Sequence, residues 1–213
     1  MLYNGIDLRP FERCRERRGS VRRGWGIPED DLVVGTVGRL SEGKGHEEFV
    51  EVAAAIHSRH PRVCFVLVGD GGNRPRLERL VEDAGLGGRF VFAGHTNDVP
   101  GALGAMDVFL FPSRSEGLPG AVVEAAAARL PVVGYRFPFM TEVVDDGVSG
   151  ILVPPGERGG DDLVEGVQIL LSDPQRRERF GRAAAAGAKR FSLDTCVEKT
   201  LRTYEDLYAR STL

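Results

Sequence analysis

Two glutamates, Glu116 and Glu124, mark the stretch of the sequence whose residues are best suited to holding a ligand. The apolar residues 108–111 before them predict a buried strand, and residues 125–128 after them predict a helix. The stretch between is therefore a strand-loop-helix corner. We expect one carboxylate on the loop and the other just over one turn inside the helix.

The predicted helix lacks a capping side chain at its start. Pro119 suits the first helical position, but Leu118 before it has no side-chain oxygen to accept from the N–H groups of the first turn. Water is one candidate to satisfy those groups. An anion is the other, because free N–H groups and the positive end of the helix dipole favour phosphate. With a phosphate there, the two carboxylates could hold hydroxyl groups on either side of it; without one, they are ordinary surface partners of the helix dipole.

Strand and helix patterns alternate along most of the chain, which predicts an α/β fold with a doubly wound parallel sheet of the Rossmann-like kind. Six apolar or β-branched runs are the predicted strands: 32–38, 63–68, 89–93, 108–111, 131–135 and 150–153. From residue 161 onward the pattern is helical only. In such sheets ligands bind beyond the carboxyl ends of the strands. That rule places five features along one edge: Arg39, Lys44, the loop 69–72, His95 and the corner 116–124.

The glycines near residue 70 do not complete a dinucleotide-binding fingerprint. Gly69, Asp70 and Gly71 begin the required G-x-G-x-x-G spacing, but Arg74 stands where the third glycine is needed. The next predicted strand also ends without an acidic residue, and no G-K-[ST] sequence is present. These observations disfavour a dehydrogenase and a P-loop site.

Arg39 and Lys44 are five positions apart across a loop that contains glycine, a spacing that lets both cations point into one crevice. Two cations and free N–H groups suit a diphosphate. The chain contains no Asp-x-Asp, the arrangement by which many sugar transferases hold a metal on a nucleotide diphosphate. We therefore expect no metal, and protein cations would neutralise the phosphates.

The composition is that of a globular protein, with 42% apolar and 28% charged residues. A net charge of −3 gives no general attraction for nucleic acid, so nucleic acid is not an expected partner.

The three cysteines are far apart and without a metal-binding spacing, which predicts reduced thiols. No apolar run is long enough to cross a bilayer and no signal-peptide pattern is present, so we expect a soluble, cytoplasmic chain. Membrane association would come only through a partner domain or a lipid acceptor.

An arginine-rich segment precedes the first predicted strand, with seven arginines between Arg9 and Arg23. One interpretation is a patch that binds anions. The favoured interpretation is a solvated helical face, because apolar positions are sparse in this segment.

Several stretches in order along the chain carry a resemblance to a known family: residues 3–7, 37–40 with 44–45, 67–71, 92–94 with 98–100, 111–119 through 124–125, 142–147 and 150–154. Together they resemble the carboxyl-terminal, donor-binding domain of retaining glycosyltransferases with the GT-B architecture, the glycosyl transferases group 1 family (glycosyltransferase family 4). The resemblance extends over nearly the whole chain. Its most specific element is the pair of glutamates separated by seven residues.

The resemblance implies roles for individual residues. Arg39 and Lys44 look like the pair that binds the donor diphosphate. Glu124 resembles the acid that holds the ribose hydroxyls, and Glu116 the acid that contacts the donor sugar. Arg39, Lys44 and Glu116 are thus the expected catalytic residues. No metal and no cofactor beyond the nucleotide diphosphate sugar itself are implied.

The main chain of residues 117–121 would contact the sugar and the distal phosphate. Pro119 departs from family members that have glycine there, and it removes one N–H donor. His95 falls where the family lines the base pocket, with a solvated rim histidine as the alternative, and His46 is interpreted as structural. The expected donor-binding set is Gly38, Arg39, Lys44, Asp70, Gly71, His95, Glu116, Gly117, Leu118, Gly120, Ala121 and Glu124.

The resemblance also implies a domain organisation. Residues 1–25 are the expected hinge and arginine-rich lead-in, residues 26–190 the nucleotide-sugar-binding domain, and residues 191–213 a terminal helix that packs on an amino-terminal acceptor domain absent from this sequence. The full-length protein would transfer a hexose-like sugar with retention of configuration, whereas these 213 residues alone would not. The alternative function is a non-catalytic nucleotide-sugar-binding module.

Overall fold

The predicted strands form one parallel sheet. The computed structural model describes residues 4–156 and 158–211, and its strands are β1 (Val33–Val37), β2 (Cys64–Val68), β3 (Phe90–Gly94), β4 (Val108–Phe111), β5 (Val132–Tyr135) and β6 (Gly150–Val153). Their order is β3-β2-β1-β4-β5-β6, and every neighbouring pair is parallel. This confirms the predicted α/β fold and doubly wound, Rossmann-like sheet.

Helices connect the strands and complete the chain: α1 (Arg18–Gly24), α2 (His46–His57), α3 (Arg74–Asp83), α4 (Val99–Gly104), α5 (Gly120–Ala127), α6 (Pro138–Thr141), α7 (Gly159–Ser172), α8 (Pro174–Ala188) and α9 (Leu193–Ser211). The placement of Pro119 at the first helical position is wrong by one residue. Pro119 is the N-cap of α5, because its ψ of 88° lies outside the helical region and the helix begins at Gly120.

Helices cover both faces of the sheet. On one face α2 buries Phe49 and Ile56 beside Val34 of β1. On the other face α5 buries Val122 beside Phe109 of β4. Because both faces are covered, the central strands are almost continuously apolar rather than alternating, and the one polar side chain of β1, Thr36, is buried as well. The three cysteines are free and buried.

The strand order reverses in the middle of the sheet. The chain proceeds from β1 outward to β3, then returns to β4 beside β1 and continues outward to β6. The connections after β1 and β4 therefore leave in opposite directions, and a crevice opens between them at the carboxyl ends of these strands. Residue 38 follows β1, and the β4–α5 loop (residues 112–119) follows β4. The two loops predicted to bind a ligand are neighbours at this switch point.

The arginine-rich segment packs on the domain. Arg22 is fully buried and donates to the carbonyl groups of Ala105 and Asp31 and to the carboxylate of Asp107, at 2.6–2.9 Å. Arg18 donates to the other oxygen of that carboxylate at 2.6 Å. The interpretation of this segment as a solvated face is therefore wrong at Arg18 and Arg22, because the acceptors that hold them belong to the chain itself.

The start of the described chain pairs with the start of α9. The N–H of Ile6 donates to the carbonyl of Phe191, and the N–H of Leu193 donates to the carbonyl of Ile6, both at 2.9 Å. Beyond this point α9 carries an apolar stripe whose side chains are 49–75% exposed: Val197, Leu201, Tyr204, Leu207 and Tyr208. Residues 1–3 of the predicted lead-in and residues 212–213 of the predicted terminal helix lie outside the described residues.

Replacing Arg22 with Ala is expected to lower the free energy of unfolding by about 3–5 kcal/mol, because the carbonyl groups of Ala105 and Asp31 lose their Arg22 donor and Asp107 is left with the partly exposed Arg18 as its charged partner. The Val33 N–H would still donate to Oδ2 of Asp107, the oxygen that Arg22 contacts, and Arg18 would still donate to Oδ1. Arg23→Ala, an exposed change on the same helix, is the matched control and should shift stability by less than about 0.5 kcal/mol. Urea denaturation followed by circular dichroism measures both; equal losses would contradict an anchoring role for Arg22.

Candidate functional site

A cavity of about 430 Å³ opens at the carboxyl ends of β1 and β4, and we call it the β1–β4 cavity. Its walls come from the end of β1, the loop into α2, the end of β4, the β4–α5 loop and the first turn of α5. The lining residues are Thr36, Val37, Gly38, Arg39, Ser41, Lys44, His46, Phe111, Glu116, Pro119, Gly120 and Ala121. Half of them belong to the set expected from the sequence.

A close contact between two loops fixes the segment that carries Arg39. The N–H of Leu40 donates to the carbonyl of Asp70 at 3.0 Å. Gly69 has a φ of +134°, and a Cβ there would lie only 1.9 Å from the carbonyl oxygen of Gly38. A side chain at position 69 would therefore displace the backbone on which Arg39 depends, so this approach requires glycine.

Lys44 and Glu116 contact each other across the cavity. Gly45, the N-cap of α2, has a φ of +73°, and a Cβ there would lie 2.4 Å from the carbonyl oxygen of Pro112. This close approach brings the loop before α2 against the β4–α5 loop. The Lys44 ammonium donates to Oε1 of Glu116 at 2.7 Å, and the hydroxyl of Ser113 donates to the same oxygen at 3.1 Å.

Arg39 lines the same cavity with an exposed side chain. Among the residues that the structure describes, it forms no ion pair, in contrast to Lys44. The cavity therefore holds two cations against the single carboxylate of Glu116. The surplus of positive charge favours an anionic ligand.

The first turn of α5 supplies backbone donors to this cavity. The N–H groups of Val122 and Val123 donate to the carbonyl of Pro119, and no side chain caps the helix. Within residues 4–156 and 158–211, the N–H groups of Gly120 and Ala121 have no protein acceptor. Both residues line the cavity, so the donors expected from the sequence lie beside the two cations.

Glu124 lies one turn further into α5, outside the cavity wall. Its carboxyl is half-buried, and burial raises its pKa above the ordinary value of 4.5. No other described group contributes to that shift in pKa, so burial of Glu124 is not offset by a cation or a hydrogen-bond donor. A half-buried carboxylate of this kind is a ready acceptor for ligand hydroxyl groups.

The remaining residues of the expected set lie outside the cavity wall. The Asp70 carboxylate accepts from the N–H of Gly71 at 2.8 Å, which stabilises their own loop. His95 is exposed and lines a separate crevice of about 170 Å³ beside Trp25. Residues 117–118 belong to the β4–α5 loop between Glu116 and the start of α5.

Four polar residues of this site were not predicted to contribute to it: Thr36, Ser41, His46 and Ser113. His46 is buried, as a structural residue would be, yet it also lines the cavity, and burial lowers the pKa of its imidazole. Ser113 is fully buried and orients Glu116. Its position two residues after β4 was the signal available in the sequence.

No group of three or more His, Cys, Asp or Glu side chains that could hold a metal ion occurs in residues 4–156 and 158–211. The groups of the β1–β4 cavity that could neutralise an anion are Arg39, Lys44 and the N–H groups at the start of α5. Over the same residues, no helix combines the length and the apolar character needed to span a bilayer.

Proteins of known structure share this fold. The Anabaena protein HepE, solved in complex with UDP, is 27% identical with a TM-score of 0.87, over 96% of this chain and 57% of that one. The carboxyl-terminal domain of LpcC from Francisella tularensis, a glycosyl transferase group 1 family protein, is 22% identical with a TM-score of 0.72, over 87% of this chain and 97% of that one. The sheet and its helices are thus one half of a GT-B fold.

Sequence comparisons define the family. The profile of Glycosyl transferases group 1 matches residues 18–186, and the chain belongs to this family. The alpha-D-kanosaminyltransferase of Streptomyces kanamyceticus is 31% identical over 210 residues, which are 97% of this chain and 54% of that protein. The 2-deoxystreptamine N-acetyl-D-glucosaminyltransferase of Streptomyces fradiae is 34% identical over 203 residues, 93% of this chain and 47% of that protein. The chain spans about half the length of these curated relatives.

Replacing Glu124 with Gln is expected to raise the melting temperature at pH 7. Burial raises the pKa of this carboxyl in the folded chain, so the folded state binds its proton more tightly than the unfolded state and loses stability as pH rises through that pKa. The amide avoids this cost, and its advantage should shrink as pH falls toward 4.5, the ordinary value. Calorimetric scans of the chain and the variant from pH 4.5 to 7 measure the difference. A variant less stable at pH 7 would contradict the assignment of Glu124 as an unpartnered carboxylate.

Proposed function

We propose that this chain is the donor-binding domain of a glycosyltransferase that transfers a sugar from a nucleotide diphosphate sugar to an acceptor. The observation that carries the proposal is the convergence of Arg39, Lys44 and the uncapped first turn of α5 on one cavity at the switch point of the sheet. Family membership and the UDP bound to HepE support a nucleotide diphosphate as the ligand.

The cations and the helix start would act on the leaving group. Departure of the diphosphate develops negative charge on its leaving oxygen, and groups that bind this charge more strongly than the ground state accelerate the reaction. The N–H groups of Gly120 and Ala121 are held by the helix before a ligand arrives, so they need little reorganisation, and the backbone that carries Arg39 is fixed by its contacts with residues 69–70. Lys44 would exchange its bond to Glu116 for bonds to phosphate oxygens.

The two glutamates would bind hydroxyl groups on either side of the diphosphate. Glu124, half-buried and without a described partner, suits the two hydroxyls of the ribose. Glu116, within the cavity wall, suits the hydroxyls of the transferred sugar. The main chain of residues 117–118 would lie along that sugar, and residues 70–71 and His95 would lie toward the nucleotide. No metal and no further cofactor enter this proposal.

We further propose that transfer proceeds with retention of configuration, as the family resemblance implies, and requires an amino-terminal acceptor domain as the second wall of the cleft. The relatives, about twice as long as this chain, support the second domain. In this division residues 1–25 are the hinge and lead-in, residues 26–190 the donor-binding domain, and residues 191–213 a terminal helix. The exposed apolar stripe of α9 would pack on the acceptor domain. Without that domain the stripe would leave a large apolar surface in contact with water.

Replacing Arg39 or Lys44 with Ala should weaken binding of a nucleoside diphosphate by about 1.5–3 kcal/mol, the usual contribution of a charged hydrogen bond. The matching nucleoside, which lacks phosphates, should bind equally to the chain and its variants. Isothermal calorimetry with UDP, GDP and ADP measures the change, with Arg79→Ala on an exposed face of α3 as the matched control. Equal losses for nucleoside and diphosphate would overturn the assignment.

A chelator should leave the affinities of the chain for these diphosphates unchanged.

The chain alone is expected to bind a donor without transferring its sugar, because one wall of the cleft neither excludes water nor orients an acceptor. Mass spectrometry of product formation tests this with the purified chain. Robust transfer by a monomer would refute the need for a second domain. Binding without transfer even after a family amino-terminal domain is supplied would favour the alternative of a non-catalytic nucleotide-sugar-binding module.

A further inference from the structure

Three side chains outside the β1–β4 cavity form a compact cluster at the base of the β4–α5 loop. Arg114 donates to Oε1 of Glu48 at 3.1 Å and to the hydroxyl of Tyr135 at 3.3 Å. The Tyr135 hydroxyl in turn donates to the same oxygen of Glu48. The guanidinium of Arg114 also lies 4.7 Å from the centre of the Tyr135 ring. We call these three residues the Arg114 cluster.

Each member of the Arg114 cluster comes from a different element. Tyr135, at the end of β5, is fully buried, and burial raises the pKa of its hydroxyl, which therefore keeps the proton that it donates. Glu48, in the first turn of α2, is 16% exposed. Arg114 belongs to the β4–α5 loop and is 54% exposed, so the two more buried residues hold the exposed one. The cluster ties that loop to the sheet and to α2.

The loop has a second attachment to the same region, the bond between Lys44 and Glu116. The two attachments are four residues apart at the start of α2 and two residues apart on the loop. They differ in what a diphosphate would do to them. Phosphate oxygens compete with Glu116 for the ammonium of Lys44, whereas no member of the Arg114 cluster lines the cavity. If the proposed diphosphate binds, the first attachment would open and the second would persist.

We propose that Arg114, Glu48 and Tyr135 are positioning residues, which hold the β4–α5 loop in place so that Glu116 faces the donor sugar once Lys44 turns to the diphosphate. This inference rests on the proposed function. In it, the Arg114 cluster affects binding of the donor sugar through Glu116 and does not affect binding of the diphosphate. A planar guanidinium suits the task, because it can stack on Tyr135 while its N–H groups bond two acceptors. Neither a lysine nor an alanine reproduces both contacts.

The test compares affinities for UDP, GDP and ADP with those for their glucose conjugates, in the chain, Arg114→Ala and Tyr135→Phe. The quantity of interest is the gain in affinity that the sugar adds. In both variants this gain should fall roughly threefold to thirtyfold, while affinity for the bare diphosphate stays within about twofold. Tyr135→Phe keeps the buried ring and removes only the hydroxyl. Arg79→Ala should leave both affinities unchanged.

A double-mutant cycle separates positioning from a general loss of structure. In a Glu116→Gln background, Arg114→Ala should cause no further loss of the sugar's contribution, because the loop then has no carboxylate to position. Additive losses, or equal losses for the diphosphate and its glucose conjugate, would overturn the inference while leaving the proposed function intact. The inference would also be overturned if the unmodified chain bound the glucose conjugates no more tightly than the bare diphosphates. A chain that binds none of the three diphosphates would refute the proposed function, and this inference with it.

Discussion

The reversal of strand order between β1 and β4 is the constraint on which the candidate site depends. Adjacent parallel strands whose connections leave in opposite directions must open a crevice at their carboxyl ends, whatever side chains line it. In this chain the crevice receives the segment after β1 and the start of α5. The geometry of the sheet thus brings together a cation and a set of backbone donors that are about 80 residues apart in the sequence.

Glycines and ion pairs convert that crevice into a site with defined geometry. Gly45 and Gly69 allow backbone approaches that any Cβ would prevent, and these approaches fix the backbone next to Lys44 and Arg39. The charges then remain unbalanced at two points. Arg39 has no ion pair within the described chain, and Glu124 is half-buried without an offsetting partner. The anionic group of a ligand would pair with Arg39, and its hydroxyl groups would donate to Glu124. Each interaction would supply a partner that the described chain does not provide.

Most of the fold was predictable, because a parallel sheet covered on both faces needs continuous apolar strands, and such runs are distinct in the sequence. Every predicted strand end is within one residue of the observed one. The site was predictable where it follows from strand ends, as for Arg39 and Glu116. It was not predictable where it depends on tertiary contacts. His46 lines the cavity because the loop before α2 folds against the β4–α5 loop, and the burial of Arg22 depends on Asp107, 85 residues away.

If the first turn of α5 binds phosphate oxygens, the amide resonances of Gly120 and Ala121 will report this binding most directly. They can be followed by nuclear magnetic resonance in the 15N-labelled chain during titration with UDP, GDP and ADP and with the corresponding nucleosides. A hydrogen bond to phosphate should move both amide protons downfield with at least one diphosphate and with none of the nucleosides. Diphosphate-induced shifts confined to other parts of the chain, such as the separate crevice at His95, would contradict phosphate binding at the start of α5.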